Sequence, residues 1–230
     1  MTGSEPAEPR GEATRDGRST RWDPHRRERR LSIINAAIAA IEEHGPDVLT
    51  AQIAQRAGVP RTHVYRHFDG KPALDLAVST HVATQIAQRI RTGLTSGGTA
   101  IAIIGGAVDQ HLGWVEAHPN LYRFLAQHSY RVRTDAVGTA GDAKAVFAAE
   151  LTTLFSRYLT ALGVSTEPAE RVIVGVVGLV DATAAWWLGH PDLPRATIAA
   201  ELTDEVWLLI ERTSRQLGVV LAPNQPLPVI

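Results

Sequence analysis

The sequence predicts an all-α protein, with an N-terminal three-helix helix-turn-helix domain and a larger C-terminal helical domain. Three observations carry this. Apolar residues recur at the helical period of about 3.6 throughout, and nothing argues for a strand. Gly and Pro punctuate the periodic segments at Gly45-Pro46, Gly97-Gly98, His118-Pro119 and Gly189-His190-Pro191. The run from Leu49 to Lys71 reads as two short helices around a tight turn.

In order along the chain, residues 1–24 are polar and rich in Gly, Pro, Arg and Glu, which predicts a disordered, Arg-containing tail. A first helix spans about His25 to His44, with Leu31, Ile34, Ala37, Ile38 and Ile41 inward. Thr50 or Asp47 is the expected N-cap of the next, short helix. There Ile53, Ala54 and Ala57 form one apolar stripe, and Gly58 supplies a turn in which positive φ is cheap only without a Cβ. Val59 plugs the gap, and Val64 and Phe68, spaced i, i+4, face the core. Arg61, Thr62, His63 and Arg66 are thereby left outward on the second short helix. These residues, 25–71, form the first domain.

The second domain, 72–220, begins with a long helix from Lys71-Pro72 to about Leu94. Helices follow over about Thr99 to Ala117, Pro119 to Ser129, Asp142 to Leu162, Glu167 to Leu188 and Pro194 to Leu217, with a polar loop at 131–141. Residues 221–230 read as a loose tail.

Charge is unevenly spread. Residues 1–71 carry 12 Arg/Lys against 10 Asp/Glu, whereas residues 72–230 carry 11 against 14. The strongest excess lies between Arg10 and Arg30, with eight Arg against four acids. A positive front on a mildly acidic body is an electrostatic footprint for DNA. There is no cysteine, so disulfide and thiolate chemistry are excluded. No apolar stretch follows the N-terminal basic residues, and Asp181 interrupts the longest apolar run, Val172 to Leu188. Both point to a cytoplasmic protein without a membrane span.

The motif Ile53-Ala54-x-x-Ala57-Gly58-Val59, then Val64-Tyr65-x-His67-Phe68, then Lys71 and Leu74, resembles the TetR family of bacterial transcriptional regulators. The resemblance is specific over about residues 28–78 and only architectural beyond. The run between Gly45 and Ile53 is about one residue shorter than is usual in that family.

On the outward face, Arg61 and Arg66 could each donate bidentately to guanine, Thr62 could meet a thymine methyl or a base edge, and His63 a guanine or a phosphate. Tyr65, His67 and Lys71 fall where the family's phosphate contacts lie, and Thr50 could add one more. Tyr65 and His67 could also be partly core. His63 and His67 lack a third ligand nearby, so no metal is expected, and no cofactor. The resemblance further implies a homodimer on a palindromic operator of double-stranded DNA. Val172, Gly175, Val176 and Leu179, with Leu202, Val206 and Ile210 of the last helix, are the expected dimer surface, though a monomer core could use the same pattern.

No nucleophile with a base, working carboxylate pair or phosphate loop stands out, so no enzyme is expected. The body instead offers aromatic, apolar helices with sparse polar groups, as small-molecule sites do. His111, Trp114, Tyr122, Phe124, His128, Phe147 and Trp186 are the candidate contacts for an unidentified, largely apolar effector. Asp181 needs a partner, inside either the body or a dimer interface. The function expected is a repressor released by that effector. The alternative is a helical ligand-binding or scaffold protein whose N-terminal domain docks on a protein.

Overall fold

The computed structural model describes residues 17–95, 97–131 and 143–227. Along them run α1 (Gly17–His44), α2 (Thr50–Arg56), α3 (Arg61–His67), α4 (Gly70–Leu94), β1 (Gly98–Thr99), α5 (Ala100–Ala117), α6 (Pro119–Arg131), α7 (Ala143–Ala161), α8 (Ala169–Trp187), α9 (Arg195–Gln216) and β2 (Pro226–Leu227). The expected polar loop at 131–141 and residues 1–16 of the expected N-terminal tail fall almost wholly outside the described residues.

The head is built on α1. Ile33, Ala37 and Ile41 of α1 meet Ile53 and Ala54 of α2, Val64 and Phe68 around α3, and Leu74, Val78 and Val82 of α4. The turn between α2 and α3 holds Gly58 at φ +64°, where a side chain would be strained. Val59 then donates its N–H back to the Ala54 carbonyl at 3.0 Å, closing the turn. One detail of the first-helix stripe differs from expectation. Leu31 is 45% exposed, and the buried stripe begins at Ile33 and Ile34.

The body packs α5 on α9, α4 on α7, and α7 and α9 on α8. Its core joins Val108, Leu112 and Val115 of α5 to Ile198, Leu202, Val206 and Trp207 of α9. Helix α4 runs through the head's cluster from Leu74 to Ile90, while α6 contributes to both clusters. Leu121 and Phe124 of α6 are buried in the head's cluster, while Tyr122 is buried in the body's. A polar tie reinforces this seam, with His118 Nδ1 2.6 Å from Glu42 Oε1 and Asn120 Nδ2 donating to the Glu42 carbonyl.

Two expectations about the tails are corrected. Helix α1 begins at Gly17 and runs through Pro24, so residues 17–24 are helical, not disordered. A nucleated helix extends at one hydrogen bond per residue, and Pro24 forfeits only one of them. At the other end, β2 pairs antiparallel with β1, Gly98 opposite Leu227, where no strand was expected. Ala100 and Ile101 donate their N–H groups to the carbonyls of Gln225 and Pro223. These are first-turn donors of α5 that have no partner within the helix, and the returning chain supplies one. Leu221 is anchored in the body core at 7% exposure. A two-residue pairing leaves no periodic trace in sequence.

Candidate DNA-binding face and effector cavity

Burial of Val64 and Phe68, at 1% and 3% exposure, fixes the rotation of α3. Arg61, Thr62 and Arg66 are exposed, Tyr65 is 41% exposed, and His63 is half-buried. Arg61 donates from Nε and Nη2 to the Tyr65 hydroxyl at 3.2 and 3.0 Å. That bond, then one from Thr50, holds the Tyr65 pKa below its ordinary value. Thr50 is 6% exposed, so its hydroxyl serves Tyr65 inside the head. Nor does Thr50 or Asp47 cap α2. Leu49 is the N-cap residue, and the Gln52 side chain accepts from the Leu49 N–H at 2.8 Å. The short run before Ile53 leaves no room for a separate capping residue.

At the end of α3, the His63 and His67 rings lie 5.1 Å apart. Burial first, then the neighbouring His63, Arg26, Arg30 and Arg29, lowers the His67 pKa, which favours a neutral ring. Arg30 donates to the His67 carbonyl and stacks its guanidinium 4.1 Å over Phe68. The start of α1 and the end of α3 therefore share one positive edge. The sequence showed the arginine cluster as a charge excess, but not that it lies beside α3. Lys71 is engaged elsewhere. Its Nζ stands 2.5 Å from Asp75 Oδ1, with the ring of Phe124 from α6 5.9 Å away. Among the described residues no group of three potential ligands is placed to hold a metal ion.

The body encloses a cavity of about 220 Å³ between α4 and the helices that follow. Of the expected contacts, His111, Trp114, Tyr122 and Phe147 line it. Phe124 does not, being fully buried in the head's core. Trp186 is 50% exposed and stacks on His190 at 4.2 Å. The side chain of His128 lies outside the described residues. Phe155, Tyr158 and Asp181 are added to the lining, joined by Leu221 and Leu227 from the returning C-terminal segment. Tyr122 donates its hydroxyl to the Asp181 carbonyl and to Oδ1, at 2.8 and 3.1 Å. Asp181 thus has its partner inside the body.

The expected dimer residues divide. Val172, Leu202 and Val206 are 6%, 1% and 3% exposed, so they belong to the chain's own core. Val176 and Ile210 line the cavity, and Leu179 packs against the body core. Gly175 is exposed, with nothing within 4 Å of where a Cβ would stand. Other apolar residues of the same two helices are uncovered. These are Val174 and Trp186 of α8 and Leu208 and Leu209 of α9, each 40–61% exposed. An all-apolar helix gives no periodic signal that tells its inner face from its outer one.

Comparison with known proteins agrees with both halves. Residues 33–78 match the model of the bacterial regulatory proteins of the tetR family, and residues 89–220 match the tetracyclin repressor-like C-terminal domain. An uncharacterized HTH-type transcriptional regulator of Mycobacterium tuberculosis is 26% identical over 193 residues, which is 84% of this chain and 81% of that one. Among solved structures, a tetR-family regulator from Streptomyces coelicolor superposes with a TM-score of 0.63 at 23% identity, covering 84% of this chain and 86% of that one. FadR from Bacillus subtilis, solved in complex with stearoyl-CoA, gives 0.57 at 17% identity, covering 76% and 96%. No described helix is long and apolar enough to cross a membrane. A reading head with an arginine face, a hollow helical body and two family matches spanning most of the chain lead to one conclusion: the protein is a transcriptional regulator of the TetR family, not an enzyme.

Proposed function

We propose that the protein is a homodimeric repressor that holds a palindromic operator and lets it go when an apolar effector fills the body cavity. The observation that carries the reading is the double duty of α6. Its Leu121 and Phe124 pack into the head while Tyr122 and Leu125 line the cavity. An occupant that displaces α6 must therefore move groups packed against the head, Lys71 beside Phe124 included. Heads repositioned in this way no longer match two half-sites at once, and the population shifts away from DNA. The FadR structure with stearoyl-CoA supports a ligand role for such a body.

In this reading Arg61, Thr62 and Arg66 read base edges, with His63 beside them. Tyr65, His67 and the Arg26–Arg30 cluster hold phosphates. Thr50 acts through Tyr65, and Lys71 reaches phosphate only on leaving Asp75. The second subunit docks on the uncovered strip of α8 and α9, around Gly175 and Leu208.

The test is anisotropy of labelled DNA from upstream of the protein's own gene, with random duplex as competitor, at two salt concentrations. Arg61→Ala should weaken specific binding by about 1–3 kcal/mol and non-specific binding little. Lys71→Ala should weaken both alike and flatten the salt dependence. Equal losses on all sequences for Arg61→Ala would remove the base-reading assignment.

A further inference from the structure

Most polar side chains around the cavity already have partners inside the protein. Tyr158 donates to the Leu94 carbonyl at 2.7 Å, Ser214 to the Ile210 carbonyl at 3.0 Å, and Tyr122 to Asp181. His111 differs. Both ring nitrogens are shut off from solvent and have no hydrogen-bond partner among the described residues. Its ring lies near that of Phe147, 6.4 Å between centroids, and it lines the cavity with Trp114, Tyr122 and Asp181. A buried imidazole that bonds nothing is costly, by the desolvation of one donor and one acceptor. The rest of the lining is almost wholly aliphatic and aromatic.

Burial lowers the His111 pKa, and the Asp181 charge opposes this less strongly, so the ring is neutral. A neutral ring offers one N–H and one lone pair. A hydroxyl can serve either nitrogen, since it both donates and accepts. A carboxylate only accepts, would enter an apolar cavity charged, and would lie near Asp181. At about 220 Å³ the space is small beside ordinary ligand pockets and suits a slender chain.

We infer that His111 is the polar anchor of the effector site, and that the effector is a neutral amphiphile whose apolar chain carries a hydroxyl to this imidazole. The inference rests on the effector-cavity reading above and specifies its ligand class.

The experiment titrates the whole chain with octanol, octane and octanoate, read by tryptophan fluorescence, with Trp114 in the cavity wall as its reporter, and by thermal shift. It is run on wild type, His111→Leu and His111→Asn. Octanol binding should weaken about tenfold or more in His111→Leu, while octane binds as before or tighter. His111→Asn keeps a donor and an acceptor and should recover part of the loss, which separates anchoring from folding. Equal effects of His111→Leu on octanol and octane would overturn the anchor, yet leave the cavity as an effector site. Octanoate binding wild type more tightly than octanol would overturn the neutral ligand class. Binding of none of the three to wild type would overturn the effector-cavity reading and this inference with it.

Discussion

In the head, Ile53, Val64 and Leu74 are sealed to 1% exposure or less, whereas the body holds about 220 Å³ of empty space among its helices. The dividing line runs along α4. Its Leu74, Val78 and Val82 pack only into the head's cluster, whereas Ile86 and Ile90 both belong to that cluster and line the cavity. Reading DNA requires α3 to keep one rotation, so its support is filled. In the proposed function, sensing requires a state that an occupant can stabilise, which fits a body that is less tightly packed. The two regions also differ outside. The head shows arginines, and the body leaves Val174, Leu208 and Trp186 uncovered.

The sharpest way to break this comparison is to truncate one side chain in each region. Ile53→Ala removes a fully buried group and should cost about 4 kcal/mol, abolishing DNA binding. Leu154→Ala, beside existing space, should cost about 2 kcal/mol and leave DNA binding intact. Urea unfolding followed by fluorescence checks both, and equal losses would mean that the body is as tightly packed as the head.

A smaller effect is expected at the outer face. Leu208→Glu touches no core and should change monomer stability by no more than about 0.5 kcal/mol. It should nevertheless shift the chain from dimer to monomer in sedimentation and weaken operator binding. A dimer that persists would move the interface off α9.

The smallest expected effect is a pH dependence. His111 and His67 both have pKa values lowered in the folded protein from the ordinary 6.5. Their neutral forms fold best, so the stability they contribute is complete above pH 6.5 and is lost as pH falls through the folded values. Asp181 faces His111 and moderates its share. The melting temperature should therefore fall on acidification, and fall less in His111→Leu. An unchanged slope in that variant would assign the effect to the head.

How much was legible follows from how far apart the interacting residues stand. The helix-turn-helix motif lies within Ile53 to Lys71, and its spacing sets which side chains of α3 face out; the phosphate contacts rest on the family resemblance alone and belong to the proposed function. Helix boundaries followed from Gly and Pro, because backbone freedom and a missing N–H are properties of the residue itself. The same local logic ranked His111, Trp114, Tyr122 and Phe147 as cavity residues, since a polar or aromatic group in an apolar helix stands out wherever it folds.

By itself, then, the sequence determined the all-α class, the helix-turn-helix and the orientation of Arg61, Thr62 and Arg66. Only the tertiary structure decided the rest. Periodicity marks Phe124 and Trp186 as apolar, but packing sends one into the head's core and the other to the surface. Val172 and Leu208 are both apolar positions in a helix pattern, yet burial assigns the first, an expected dimer residue, to the fold and leaves the second exposed. Lys71 meets the Phe124 ring, and Leu221 and Leu227 fold back to line the cavity, through contacts with residues far along the chain. The physical reason is common to all of these. Periodicity records which side chains avoid water, while the neighbour that keeps water away is chosen by long-range packing, which no local pattern encodes.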